Sequence, residues 1–158
     1  MGTGKTTIGA QLARLLEYDF VDADQEIERR TGASVALIFD VEGEAGFRAR
    51  ETRIIDELTL RERIVLATGG GAVLADDNRH WLAERGFVVY LRTSVDTLIK
   101  RMRYDTSRPL LQTADPERTL RDIIEAREPL YSGIADLVID TGRLSVRQVV
   151  KRITSNLP

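Results

Sequence analysis

The chain has 158 residues, 42% of them apolar and 30% charged, with 23 basic against 25 acidic side chains and a formal net charge of -2. That length and balance describe one globular domain, residues 1–158, and exclude both a disordered chain and a strongly basic nucleic-acid binder. The absence of cysteine excludes disulfides, thiolate catalysis and cysteine-based zinc sites, and no apolar run approaches the ~20 residues of a membrane helix, so a cytoplasmic protein with no nucleic-acid or membrane partner is expected.

Thr6 to Leu16 places Ile8, Leu12, Leu15 and Leu16 at helical spacing. Tyr18 to Val21 reads as a short strand. Asp24 to Arg30 reads as a helix, closed by Thr31-Gly32. Glu44 to Leu58 is a longer charged helix with Phe47, Ile54, Ile55 and Leu58 as its apolar points. Ile64 to Thr68 is continuously apolar, as in a strand buried on both faces, and runs into Gly69-Gly70-Gly71. A helix over Asp76 to Arg85 precedes a second buried strand, Phe87 to Leu91. Ser94 can cap a helix reaching Met102. Tyr104 to Ala114 has no period and contains Pro109, after which Asp115-Pro116-Glu117 opens a helix with Pro at its first position. Leu137 to Asp140 is a last short strand, and Ser145 to Leu157 an amphipathic helix. Such alternation predicts an α/β fold, a parallel sheet flanked by helices on both faces.

Gly2-Thr3-Gly4-Lys5-Thr6-Thr7 opens the first helix. Gly4-Lys5-Thr6 supplies the last three positions of the phosphate-loop pattern G-x-x-x-x-G-K-[ST]. In that pattern glycine lets backbone N–H groups turn onto phosphate oxygens, the helix N-terminus adds free donors, the lysine reaches the β- and γ-phosphates and the hydroxyl ligates Mg2+. A bare triplet of this kind is more often a plain glycine turn. Asp22 and Asp24 stand two apart at the end of a strand, so on extended backbone they share a side, where like charges call for a metal or a proton between them. The plainer alternative is a solvated loop with a helix cap at Asp24. Three glycines after a buried strand suit a place where a ligand approaches the backbone, or else a tight turn. Arg48, Arg108 and Arg127 are candidates to grip an anion, although a lone arginine is most often solvated. His80 lies in a polar helical stretch and carries no catalytic role.

Taken in order, these pieces resemble the shikimate kinase family, in the nucleoside-monophosphate-kinase-like group of P-loop proteins. The matching residues are Gly2-Thr3-Gly4-Lys5-Thr6-Thr7-Ile8-Gly9, Asp22-Ala23-Asp24, Ile38-Phe39 with Glu42-Gly43-Glu44, Phe47-Arg48, Thr68-Gly69-Gly70-Gly71, Arg108-Pro109-Leu110-Leu111 and Arg127-Glu128-Pro129-Leu130-Tyr131. The resemblance implies transfer of the ATP γ-phosphate to the 3-hydroxyl of shikimate, a step toward chorismate and the aromatic amino acids, by a monomer. It implies that Gly2, Thr3, Gly4, Lys5, Thr6 and Thr7 hold ATP, with Thr6 and Asp22 on Mg2+. Asp24 would bind the shikimate hydroxyls and serve as base. Arg48, Arg127, Gly70 and Gly71 would hold the shikimate carboxylate. Arg108 would close over the phosphates from a lid at about 103–115, and Arg101 would lie against adenine. The shikimate-binding region would span about 22–58. A kinase of the same fold for another small hydroxy acid such as gluconate, or a shortened product that binds ligand but turns over weakly, are the alternatives.

The pattern's first glycine falls two positions before Met1, and no strand precedes the loop. Met1 is therefore expected to be an internal methionine of a longer family-like protein, with the first, central strand missing from this chain. A slot is then expected between two strands. Each buried backbone group left unpartnered there costs about 1–3 kcal/mol, against a usual domain stability of about 5–15 kcal/mol. The 158 residues alone are expected to be poorly stable, with a loop too disordered to hold phosphate well.

Overall fold

The computed structural model describes residues 3–102 and 113–158. Gly2, Arg108 and most of the expected lid lie outside the described residues. Helix α1, Lys5–Leu16, starts from Gly4 in the left-handed region at φ 84° and stops at Glu17, also left-handed, whose N–H turns back to the Ala13 and Arg14 carbonyls. Strand β1, Asp19–Asp22, leads into α2, Ala23–Thr31. Helix α3, Val35–Thr59, is capped by Ser34 and broken at Gly43, where φ 72° and ψ 179° interrupt the helical ladder. The helix expected from Glu44 is thus its second arm. The first arm, 35–42, carries too mixed a pattern to be read from periodicity. Strand β2, Ile64–Ala67, is followed by a single 3-10 turn at Ala72–Leu74 and by α4, Asp76–Arg85. Strand β3, Val89–Arg92, α5, Val95–Met102, α6, Pro116–Ile134, strand β4, Leu137–Asp140, and α7, Val146–Thr154, complete the order. Ser145 and Gln148 form a reciprocal cap at the start of α7.

The strands form two parallel pairs rather than one sheet. Strand β1 pairs with β2 in the register Asp19 to Ile64, and β3 with β4 in the register Val89 to Leu137. Between the pairs lies an apolar cavity of about 800 Å³, lined by β2 and β3 together with Ile8 and Leu12 of α1 and Ile124 and Ile134 of α6.

Helices flank both pairs. Ile8 and Leu12 pack with Ile139, Val149, Val150 and Ile153 on the α1–α7 side. Ala23, Ile27, Ile38, Phe47, Ile54 and Leu58 form the core between α2, α3 and the β1–β2 pair. A smaller cluster, Leu98, Ile99 and Leu120, joins α5 to α6.

Helix α1 is held against β1 by a close approach. A Cβ on Gly9 would stand 2.5 Å from the Phe20 ring, whereas one on Gly133, in α6, would meet nothing within 4 Å. Gly9→Ala should therefore destabilise the protein by about 1–3 kcal/mol through overpacking. Gly133→Ala should stabilise it by about 0.5–1 kcal/mol, because alanine has less chain entropy to lose in a helix. Urea midpoints of the two variants against the parent check both signs.

Candidate active site

The site forms where three segments end together: the start of α1, the junction of β1 with α2, and the glycine turn after β2. At the first, Gly4 occupies a left-handed conformation that a residue with a side chain adopts at a cost. The turn aims the first, unpaired N–H groups of α1 outward, with the positive end of the helix dipole behind them. The Thr3 hydroxyl is buried and has no hydrogen-bond partner among the described residues. Thr3, Gly4, Thr7 and Arg101 line a shallow cavity of about 320 Å³ beside the loop. Lys5 is half-buried and its charge acts on Asp24, while Thr6 is exposed in the first turn.

At the second junction the structure corrects the reading of the acidic pair. Asp22 is the last residue of β1 and the cap of α2, its Oδ1 accepting from the backbone N–H groups of Asp24 at 3.0 Å and Gln25 at 3.2 Å. Asp24 stands inside the helix, so the alternation expected of extended backbone does not apply. The cap is Asp22, not Asp24. Capping through one oxygen still brings the two carboxylates close enough to influence each other. Asp24 is held above the ordinary carboxylate range, chiefly by burial and next by the Asp22 charge, while Lys5 and Arg48 pull the other way. Its Oδ1 is buried without a partner among the described residues.

The glycine turn is where these groups meet. A Cβ on Gly69 would lie 3.0 Å from Asp24 Oδ1 and 3.3 Å from Glu51 Oε2. One on Gly71 would lie 2.2–2.4 Å from the Arg48 guanidinium. Here glycine admits the protein's own charged side chains against the backbone. Arg48, on the second arm of α3, donates from Nη1 to Glu51 Oε1 at 2.8 Å, lies 3.3 Å from Glu44 Oε1, and rests 5.3 Å from the Phe47 ring centre. Arg127, on α6, is buried at 7% exposure and forms no ion pair among the described residues. The surface position usual for an arginine is not the one it takes. Tyr131, one helical turn further along α6, donates to the Gly70 carbonyl at 2.5 Å.

The structure thus brings Lys5, Asp22, Asp24, Arg48, Gly70, Gly71 and Arg127 around one turn. Thr3, Gly4, Thr7 and Arg101 lie together on the loop's other side. Sequence reading passed over Glu51. It is 1% exposed, one of its oxygens lacks a partner, and burial raises its pKa while Arg48 opposes the rise. A signal existed: positions 47, 51, 54 and 58 form one helical stripe, and a carboxylate on a core stripe is costly unless it has work to do. Tyr131 lay within a quoted motif and was assigned no role.

The Thr6 hydroxyl and the Asp22 carboxylate, one of whose oxygens takes no part in the cap, are hard oxygen donors of the kind Mg2+ accepts when phosphate oxygens and water complete its shell.

The two buried carboxylates set a pH dependence. Their folded pKa values are raised, so below the unfolded values their protonation favours the native state, and that contribution is lost as pH rises through the folded values. Glu51→Gln should make the plot of unfolding free energy against pH less steeply downward as pH rises above the ordinary carboxylate range. Urea titrations at stepped pH measure the slope, and an unchanged slope would contradict the assignment.

A family model described as shikimate kinase matches residues 1–158. A curated relative from Bordetella pertussis named shikimate kinase is 56% identical over 157 residues, covering 99% of this chain and 74% of its own length. Another of that name, from Methylococcus capsulatus, is 55% identical over 153 residues, covering 97% of this chain and 86% of its own. Among solved structures, shikimate kinase from Acinetobacter baumannii in complex with shikimate superimposes with a TM-score of 0.95 at 49% identity, covering 98% of this chain and 87% of that one. Shikimate kinase from Aquifex aeolicus matches with a TM-score of 0.85 at 32% identity, covering 99% of this chain and 90% of that one.

Proposed function

The chain belongs to the shikimate kinase family, and from that premise we infer that it transfers the γ-phosphate of ATP to the 3-hydroxyl of shikimate, yielding shikimate 3-phosphate and ADP. The observation that carries this reading is the meeting of Asp24 and Arg48 across Gly69–Gly71, with the buried Arg127 close by. One carboxylate and two guanidiniums around a bare backbone turn suit a small acid that bears hydroxyls. A nucleotide base offers no such negative charge. Gluconate would share that chemistry, but the resemblance over the whole chain to proteins named shikimate kinase favours shikimate.

In this reading the α1 N-terminus, Thr3, Gly4, Thr7 and Lys5 hold the ATP phosphates, and Arg101 borders the nucleotide beside the same loop. Gly2 and Arg108 belong to the same proposal, although both lie outside the described residues. Arg48, Arg127 and the Gly70 and Gly71 amides grip the shikimate carboxylate, which does not react and so serves to orient the ring. Asp24 accepts the proton of the 3-hydroxyl as its oxygen bonds to the γ-phosphorus. The bond from that phosphorus to the β,γ-bridging oxygen breaks, and the electron pair leaves with ADP. Burial raises the basicity of Asp24 and so favours this role, while Lys5 and Arg48 oppose the rise. An ATP-using kinase implies a divalent metal. Mg2+ fits the Thr6 and Asp22 oxygens, and when bound it would neutralise phosphate charge.

No helix of the described residues is long and apolar enough to cross a membrane. A cytoplasmic monomer is the state we propose, consistent with the cysteine-free composition. A chain that binds shikimate but turns over weakly is the second reading. The resemblance over the whole chain to proteins named shikimate kinase does not favour it.

Coupled assays of ADP release, with shikimate and then gluconate as acceptor, test the reading. Shikimate-dependent release is expected, and binding of shikimate without release would favour the second reading. Lys5→Met should lower kcat by on the order of 100–1,000-fold, and Asp24→Asn by a similar factor. Arg127→Ala should raise the KM for shikimate with little change in that for ATP. The opposite selectivity would overturn the carboxylate assignment.

A further inference from the structure

The Gly70 carbonyl and the buried Arg127 are 57 positions apart in the chain, yet one side chain serves both. Tyr131 lies four residues after Arg127 on α6, so the two project from the same face of that helix. Its hydroxyl donates to the Gly70 oxygen at 2.5 Å. The Arg127 guanidinium acts on the same phenol, opposing the rise in pKa that burial imposes. The ring itself is pinned from behind: it stacks on Tyr90 of β3 with centroids 4.9 Å apart and an interplanar angle of 27°. Tyr90 in turn donates to Glu128 Oε2, and Glu128 accepts from Ser132 at 3.1 Å. This is a rigid strut from β3 and α6 to the glycine turn.

The strut acts on a segment with little stiffness of its own. Glycine peptides explore more backbone conformations than any others, and three in succession would let the turn rotate. The peptide joining Gly70 to Gly71 is planar and trans. A donor that fixes the Gly70 carbonyl therefore also fixes the Gly71 N–H, which points the opposite way across the same plane. Accepting a hydrogen bond at the carbonyl further polarises that N–H and makes it a better donor. Gly71 is the residue against which the Arg48 guanidinium lies.

We propose that Tyr131 is a positioning residue for the substrate carboxylate, setting the Gly70–Gly71 peptide so that its N–H and the Arg48 and Arg127 guanidiniums converge on one anion. The proposal rests on the functional reading above and adds to it a residue that need not touch substrate.

Tyr131→Phe removes only the hydroxyl and keeps the stack on Tyr90. Shikimate binding, measured by calorimetry on the whole chain, should weaken about 5–10-fold, as expected for loss of one neutral hydrogen bond. The KM for ATP should stay within about twofold. Shikimate methyl ester, which lacks the anion, should bind both proteins weakly and about equally. That difference separates positioning of a carboxylate pocket from general loosening of the structure, which would weaken acid and ester alike. Equal losses for the two ligands, or no loss for either, would overturn the proposal. Failure of the parent chain to bind shikimate at all would instead overturn the functional reading and the proposal with it. Tyr90→Phe, which loosens Glu128 but leaves the hydroxyl on Gly70, should change shikimate affinity less than twofold, and a loss as large as that of Tyr131→Phe would also overturn the proposal.

Discussion

Everything in the site depends on charged side chains lying against the backbone of Gly69 and Gly71. The Arg48 guanidinium occupies the place of a Gly71 Cβ, and the Asp24 and Glu51 carboxylates come within 3.0–3.3 Å of that of Gly69. A side chain at position 71 would collide with that guanidinium. The turn therefore lets acid and base pack against its bare backbone. Strand β2 fixes where the turn stands, because Ala67 pairs with Asp22 and so carries the turn to the end of β1, where α2 begins.

That arrangement gathers charge that burial disfavours. Asp24 and Glu51 are both pushed up by desolvation, each has an oxygen with no partner, and Arg127 is buried without an ion pair among the described residues. Removing charges from water costs more than imperfect pairing returns, so a fold optimised for stability alone would not assemble them. Perturbed groups concentrated in a cleft are the usual mark of a site built for a ligand. A ligand that supplies one carboxylate to the arginines and hydroxyl donors to the orphaned carboxylate oxygens would relieve these costs together. The same molecule chemistry thus answers both deficits.

The mechanical support of this cluster is uneven. On the α2–α3 side it rests on a tightly closed core, with Ala23 and Ile27 almost wholly buried. On the other side, β2 faces the cavity that separates it from β3. Tyr131 spans the two halves, tied to the turn after β2 at its hydroxyl and to β3 through Tyr90. A cross-link of that kind matters most where the strands themselves do not pair.

Much of this was legible in the chain. The alternation of apolar runs and amphipathic stretches specified helices flanking parallel strands, because periods of 2 and 3.6 are local properties. Asp115 before Pro116 and Gly32 after Thr31 marked helix ends by local chemistry alone. Ordered motifs single out Lys5, Asp24, Arg48, Gly70, Gly71 and Arg127 as candidates. Tertiary structure decided the rest. It made Asp22 rather than Asp24 the cap of α2, a choice set by two hydrogen bonds rather than by pattern. It extended α3 backward through a break at Gly43 and buried Arg127 and Glu51. It also joined Tyr131 to Gly70 across 61 positions. Local periodicity reports which face of an element is buried, but not which element it is buried against. Contacts between distant segments arise only when the strand pairs and helices pack, as where Gly69 meets Asp24 and Glu51, Gly71 meets Arg48, and Tyr131 reaches Gly70.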